Sequence, residues 1–201
     1  MRIVVIGTSG AGKTTLARAL AARLNLPCIE LDAINWQPGW HDIARHDPME
    51  FARRVIDATQ GEAWVADGNY SQLRHHLWRR ATHLVWLDYD RPVIMARVIA
   101  RSIQRAITRR ELWPGTGNRE DWRTWFRPSH PIRWAWSTWA GRRAMTERQL
   151  ADPDLAHLTV LRFRRPNDAS GAIEALAAAC GAASDDGTIA APVRSPIGGA
   201  P

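Results

Sequence analysis

The run Gly7-Thr8-Ser9-Gly10-Ala11-Gly12-Lys13-Thr14 constrains this chain more than any other feature. It has the spacing G-x-x-x-x-G-K-[ST], in which glycine-rich backbone turns its N–H groups onto an anion and a helix begins at the lysine. The flanks suit that geometry. Arg2-Ile3-Val4-Val5-Ile6 is a short apolar, β-branched run that predicts a buried strand. Leu16, Leu20 and Leu24 recur every fourth residue, which predicts a helix with one buried stripe. A strand that passes through glycines into a helix places the loop at the carboxyl edge of a parallel sheet.

Lys13 is the only lysine; the other 26 basic residues are arginines. A chain that uses arginine elsewhere and keeps one ammonium here needs a compact, flexible point charge, which a planar guanidinium does not replace. The loop therefore predicts ATP and Mg²⁺ as cofactors. Gly7, Thr8, Ser9, Gly10, Ala11 and Gly12 would present backbone to the phosphates. Lys13 would reach the β- and γ-phosphates, Thr14 would give its hydroxyl to Mg²⁺, and Thr15 would complete the set at the positive end of the helix.

Further apolar runs predict strands at 28–31, 63–66, 83–87 and 158–163, with helices over 47–58, 92–110, 132–150 and 169–179 and a short helix capped by Ser71. Phe51, Val55 and Ile56 form the expected apolar face of the 47–58 helix. This alternation predicts an α/β fold with a mainly parallel sheet covered on both faces. One domain is expected over 1–181, with a lid region at about 102–135 that includes a Pro-, Gly- and Trp-rich irregular stretch, and a disordered tail over 182–201. Cys28 falls in a predicted strand and reads as a core thiol; Cys28 and Cys180 have no metal or redox spacing. No apolar run approaches the ~20 residues of a membrane span. The chain enters its first strand at once, without a secretory pattern, so a cytoplasmic enzyme is expected.

Ligands of open parallel sheets lie beyond the carboxyl ends of the strands. Asp32, Asp67 and Asp88 all fall there. Asp67 is the candidate for holding Mg²⁺, through a bound water, together with Thr14. Asp32 precedes Trp36-Gln37-Pro38-Gly39-Trp40 and is a candidate to orient an acceptor hydroxyl or take its proton. Asp88 reads as a helix-capping acid.

The net charge of +7 is unevenly distributed. Residues 91–148 carry 13 arginines against 4 acids, while the rest of the chain is slightly acidic. Arg97, Arg101 and Arg105 share one helix face. Arg97 and Arg101 are the candidates to stabilise charge on a transferred phosphoryl group; Arg105 reads as solvated. Six of the 11 tryptophans lie between Trp113 and Trp139. Trp134, Trp136 and Trp139 fit a core, and Trp113, Trp122 and Trp125 a mobile lid. Arginine interleaved with tryptophan also suits base stacking, which keeps nucleic acid open as a partner.

The loop, the strand ending Asp67-Gly68 and the Arg97-x-x-x-Arg101 pair together resemble the adenylate kinase-like P-loop small-molecule kinases. Leu31-Asp32, Trp36-Gln37-Pro38-Gly39-Trp40 and Trp64-Val65-Ala66-Asp67-Gly68-Asn69-Tyr70 are similar to the FlaR-type subgroup described as DNA topology modulation proteins. The resemblance covers about residues 1–165. It implies a five-stranded parallel sheet in the order 2-3-1-4-5, a P-loop NTPase three-layer fold and a helical lid over ATP. It also implies Arg97 against the adenine, Arg101 on the phosphates and the loop from Arg164 to Asn167, with Arg165, lining the adenine pocket. Adenylate kinases have Asp-Gly-Phe-Pro where this chain has Asp67-Gly68-Asn69-Tyr70, and their nucleotide-monophosphate arginine signature is missing here.

These readings converge on a P-loop phosphotransferase that moves the γ-phosphate of ATP·Mg to a small molecule bound near Asp32, Trp36 and Trp40. The acceptor stays open. The alternative is a nucleic-acid-binding protein that uses ATP as a switch through its 91–148 segment; no base-reading module is recognisable in it.

Overall fold

The computed structural model describes residues 1–169, 171 and 173–178. The chain runs β1 (Arg2–Gly7), α1 (Lys13–Leu24), β2 (Cys28–Glu30), α2 (Leu31–Asn35), β3 (Trp36–Gln37), β4 (His41–Asp42), α3 (Ile43–His46), α4 (Pro48–Ala58), β5 (Trp64–Asp67), α5 (Ser71–Arg80), β6 (His83–Leu87), α6 (Arg91–Thr108), α7 (Pro131–Leu150) and β7 (Thr159–Phe163). The described residues of 171–178 are helical. The tail expected over 182–201 and Cys180 lie outside the described residues.

Five strands form a sheet in the order β2-β5-β1-β6-β7, all pairs parallel. With the small hairpin β3–β4 set aside, this is the expected order 2-3-1-4-5. Strand β1 is central, with Val5 opposite Asp67 on one side and Gly7 opposite Leu87 on the other. Its alternation feeds two cores. Ile3 and Val5 pack with Leu16 and Leu20 of α1 and Ile94 and Val98 of α6. Val4 and Ile6 pack on the opposite face with Phe51 and Val55 of α4 and Leu73 and Leu77 of α5. A strand buried on both faces has no reason to be polar at either parity, which is why β1 reads as an unbroken apolar run.

Several local expectations are corrected. After β2, which ends at Glu30 and not at residue 31, Asp32 sits in the first turn of α2, and residues 36–42 form an antiparallel hairpin closed by a 3₁₀ turn at Pro38–Trp40. Cys28 is exposed on the edge strand β2 and is no core thiol. Tyr70, not Ser71, is the N-cap of α5, and it makes no side-chain cap. Ile56 is exposed, so Phe51 and Val55 carry the buried face of α4. Trp134 and Trp136 lie on the surface of α7; only Trp139 turns inward, its Nε1–H donating to the Tyr89 carbonyl at 2.9 Å.

Asp88 is the largest correction. The N-cap of α6 is Asp90. Asp88 is 4% exposed and takes two hydrogen bonds from Arg162 of β7 (2.8 and 2.5 Å) and an ion pair from Arg143 of α7 (3.0 Å). A carboxylate buried that deeply needs cationic donors. It fastens β6, β7 and α7 together and accounts for one arginine of the basic segment.

Candidate active site

The glycine loop lies at the carboxyl end of β1 and turns into α1 at Lys13. Gly12 has φ +94°, a backbone conformation that favours glycine, and a Cβ there would lie 3.0 Å from the Arg97 guanidinium. The Ala11 N–H donates to the Thr8 carbonyl (3.0 Å), which closes the loop on itself. Lys13 is half-buried, and its ammonium donates to the Thr8 carbonyl at 3.4 Å. Burial draws its pKa below the ordinary lysine value, against the opposing pull of Asp32 and Asp67.

Across the loop, the Thr14 hydroxyl donates to Asp67 Oδ2 at 2.5 Å. Asp67 ends β5 and is 3% exposed. Burial lifts its carboxyl to about 6, although the Thr14 bond and the Lys13 charge both lower it. Gly68 follows with φ +147°, and a Cβ there would lie 2.6 Å from Leu31 Cδ1, so both backbone and space require glycine. A hydroxyl and a carboxylate are hard oxygen donors, and among the described residues no group of three or more His, Cys, Asp or Glu could hold a metal. This donor set fits Mg²⁺, which is held by one or two protein oxygens together with phosphates and waters.

Asp32 is exposed at the start of α2, and its Oδ1 accepts from the Tyr70 hydroxyl at 2.7 Å. Its charge partly opposes the lowering that burial imposes on the pKa of Lys13, Arg101 and Arg105. Arg101 is half-buried, and its Nη2 donates to Ser9 Oγ at 3.0 Å. Its Nε is buried without a hydrogen-bond partner among the described residues. Burial and then Arg105 bring its pKa down to about 10. Arg97 is exposed, lies over Gly12, and holds its guanidinium 5.8 Å from the Tyr89 ring.

The structure thus brings Lys13, Thr14, Asp32, Asp67 and Arg101 together, with Arg97 at the mouth of the loop. Thr15 is exposed at the first turn of α1. Arg165 is exposed after β7, and among the described residues no hydrogen bond or ion pair joins its side chain to the loop. Trp36 and Trp40 belong to the hairpin, where they form a cluster with Trp113.

Three features escaped the sequence reading. Arg105 is half-buried beside Glu120 and Asp32, not solvated. Arg142 of α7 is half-buried and lines a small cavity with Gly7, Thr8 and Asn69; its charge lowers the pKa of Lys13. Among the described residues it has no carboxylate partner. Tyr70 holds Asp32. Arg142 lies 37 positions beyond Arg105, so helical spacing could not join them; Tyr70 was visible only as the end of the string Trp64–Tyr70.

With this geometry in view, the relatives are informative. Residues 2–98 match a protein-family model described as AAA domain. No curated protein matches the chain. Among solved structures, shikimate kinase from Acinetobacter baumannii in complex with shikimate is similar at a TM-score of 0.53 and 17% identity, covering 91% of this chain and 94% of that one. Shikimate kinase from Aquifex aeolicus vf5 gives 0.51 and 15%, covering 93% and 100%. Deoxyadenosine kinase from M. mycoides gives 0.51 and 11%, covering 90% and 100%. The fold is a P-loop kinase fold.

Proposed function

We propose that this chain is a P-loop phosphotransferase that moves the γ-phosphoryl group of ATP to an oxygen of a small molecule bound beside Asp32. The observation that carries this reading is the convergence, at one edge of the sheet, of the Thr14–Asp67 pair, the Lys13 ammonium and an arginine on Ser9. Phosphoryl transfer requires little covalent participation by the protein; it requires positioning and stabilisation of charge on the equatorial oxygens. Lys13 and Arg101 would stabilise that charge, and the cationic Arg105 and Arg142 would add to the positive field around them. Thr14 and Asp67 would hold Mg²⁺, which neutralises phosphate charge when bound. Asp32, kept in place by Tyr70, would orient the acceptor hydroxyl and accept its proton. Arg97 and Arg165 would lie along the adenine, as the resemblance to adenylate kinase-like kinases implies, and the motif strings resemble the FlaR-type subgroup. No helix among the described residues is long and apolar enough to cross a membrane.

The test is a transfer screen with γ-labelled ATP and Mg²⁺ against nucleosides, nucleotides and small hydroxy metabolites, with Lys13→Ala as the blank. Label should move to at least one acceptor with the native chain and to none with the variant. Transfer that survives in Lys13→Ala, or no transfer alongside a salt-sensitive complex with single-stranded DNA, would reject the kinase reading.

A further inference from the structure

The hairpin at 36–42 and the lid loop at 111–119 are distant in sequence, and one buried side chain joins them. Asn118 is 2% exposed. Its Oδ1 accepts from the Trp40 N–H at 2.9 Å, and its Nδ2 donates to the Gln37 carbonyl at 2.9 Å. The carboxamide pairs with the hairpin turn as a neighbouring strand would. That turn is unusual, since Gly39 and Trp40 both have positive φ, +71° and +61°. A tryptophan rarely occupies this region unless its surroundings hold it there.

Aromatic contacts supplement the amide. Trp113 stacks on Trp36 at 6.2 Å and meets Trp40 edge-on at 5.9 Å. The loop that presents Asn118 and Trp113 supports itself. The Leu112 N–H donates to the Asn118 carbonyl (2.9 Å), the Thr116 hydroxyl to the Trp113 carbonyl (2.7 Å) and the Asn118 N–H to Thr116 Oγ1 (3.2 Å). Just beyond it, Glu120 pairs with His130 at 2.8 Å, both side chains nearly buried. Glu120 also acts on Arg101 and Arg105, and Arg101 reaches Ser9. Direct contacts therefore join the hairpin to the lid loop, and the Glu120 charge couples the end of that loop to Arg101, which reaches the glycine loop.

We propose that Asn118 is a positioning residue that clamps the lid loop onto the hairpin beside Asp32, so that the arginine helix α6 and the acceptor side of the site close as one piece. The clamp rests on the proposed kinase reading only in placing nucleotide at the glycine loop; its own geometry is independent of it. The consequence is that nucleotide at the loop orders the hairpin before any acceptor arrives.

Hydrogen–deuterium exchange on the full chain tests this. Asn118→Leu fills the volume but makes neither hydrogen bond. Without nucleotide, it should speed exchange at 36–42 and 111–119 together, by about tenfold or more for the loss of buried hydrogen bonds, and leave β1 and β6 unchanged. Trp113→Ala should act in the same direction. Native-like exchange in Asn118→Leu would overturn the clamp, as would loosening of only one segment. A non-hydrolysable ATP analogue with Mg²⁺ supplies the second readout. In the native chain it should slow exchange at 7–14 and at 36–42; in Asn118→Leu it should slow 7–14 alone. An equal hairpin response in the variant would also overturn the clamp. Absence of protection at 7–14 in the native chain would count against the nucleotide reading, and the nucleotide-free comparison would still decide the clamp.

Discussion

The Tyr70 hydroxyl donates to Asp32 Oδ1 at 2.7 Å and so ties the loop after β5 to the helix after β2. The Tyr70 ring packs 4.8 Å from Phe51, which fixes the direction of its hydroxyl. Burial, reinforced by the Asp32 charge, holds the phenol far above its ordinary pKa, so it remains a donor throughout the working pH range. Tyr70→Phe should lower kcat about tenfold, the value of one positioning hydrogen bond, with KM for ATP unchanged. Steady-state kinetics with the acceptor found by the transfer screen checks this, and an unchanged kcat would show that Asp32 needs no such support.

Asp67 links pH to the stability of the metal-free protein. Its folded pKa of about 6 lies above the ordinary value of 3.8, because burial penalises the carboxylate. The group therefore favours the fold below about pH 4, and this contribution is lost as pH rises through about 6. In EDTA at pH 7.5, Asp67→Asn should unfold at higher urea than the native chain, by about 1–3 kcal/mol, and the difference should vanish near pH 4. Binding should move the other way: the variant should lose Mg²⁺-dependent ATP affinity far more than metal-free affinity, as titrations with and without Mg²⁺ would show. Equal losses in the two conditions would make Asp67 a purely structural acid.

The α6 arginines should separate by kinetic effect. Arg101→Ala removes the guanidinium on Ser9 and should lower kcat by about 10³-fold, more than it raises KM for ATP. Arg97→Ala should chiefly raise KM, since its guanidinium is exposed over Gly12. Arg105 was expected to matter little; its half-buried place beside Glu120 and Asp32 now predicts an intermediate loss of roughly tenfold in kcat. Equal effects at all three positions would mean a merely cationic face.

Asp88 should be a stability residue and not a nucleotide ligand. Asp88→Asn leaves Arg143 and Arg162 without their shared buried carboxylate and should cost about 3 kcal/mol in urea unfolding. Activity of the folded fraction should change little, and a large change in kcat with native stability would contradict this assignment.

The outcome for individual residues shows where legibility stops. Asp67 and Asp88 look alike in sequence, each ending an apolar strand. One faces Thr14 across the loop and the other faces two arginines from later elements. Nothing local distinguishes them, because what differs is which distant cations pack against each. Likewise Cys28 has strand-like neighbours, but β2 is an edge strand, and edge position follows from sheet order.

The sequence by itself determined the glycine loop, the strand–loop–helix unit and the parallel α/β class, because these depend on spacings within a few residues or on apolar periodicity. Only the tertiary structure decided that Tyr70 holds Asp32, that Arg142 stands beside the glycine loop, that Asp88 is an ion-pair hub and that Asn118 ties the lid loop to the hairpin. Each of those joins residues more than 35 positions apart. Such contacts arise when the sheet and its covering helices bring chain segments together, and local spacing carries no record of which segments will meet.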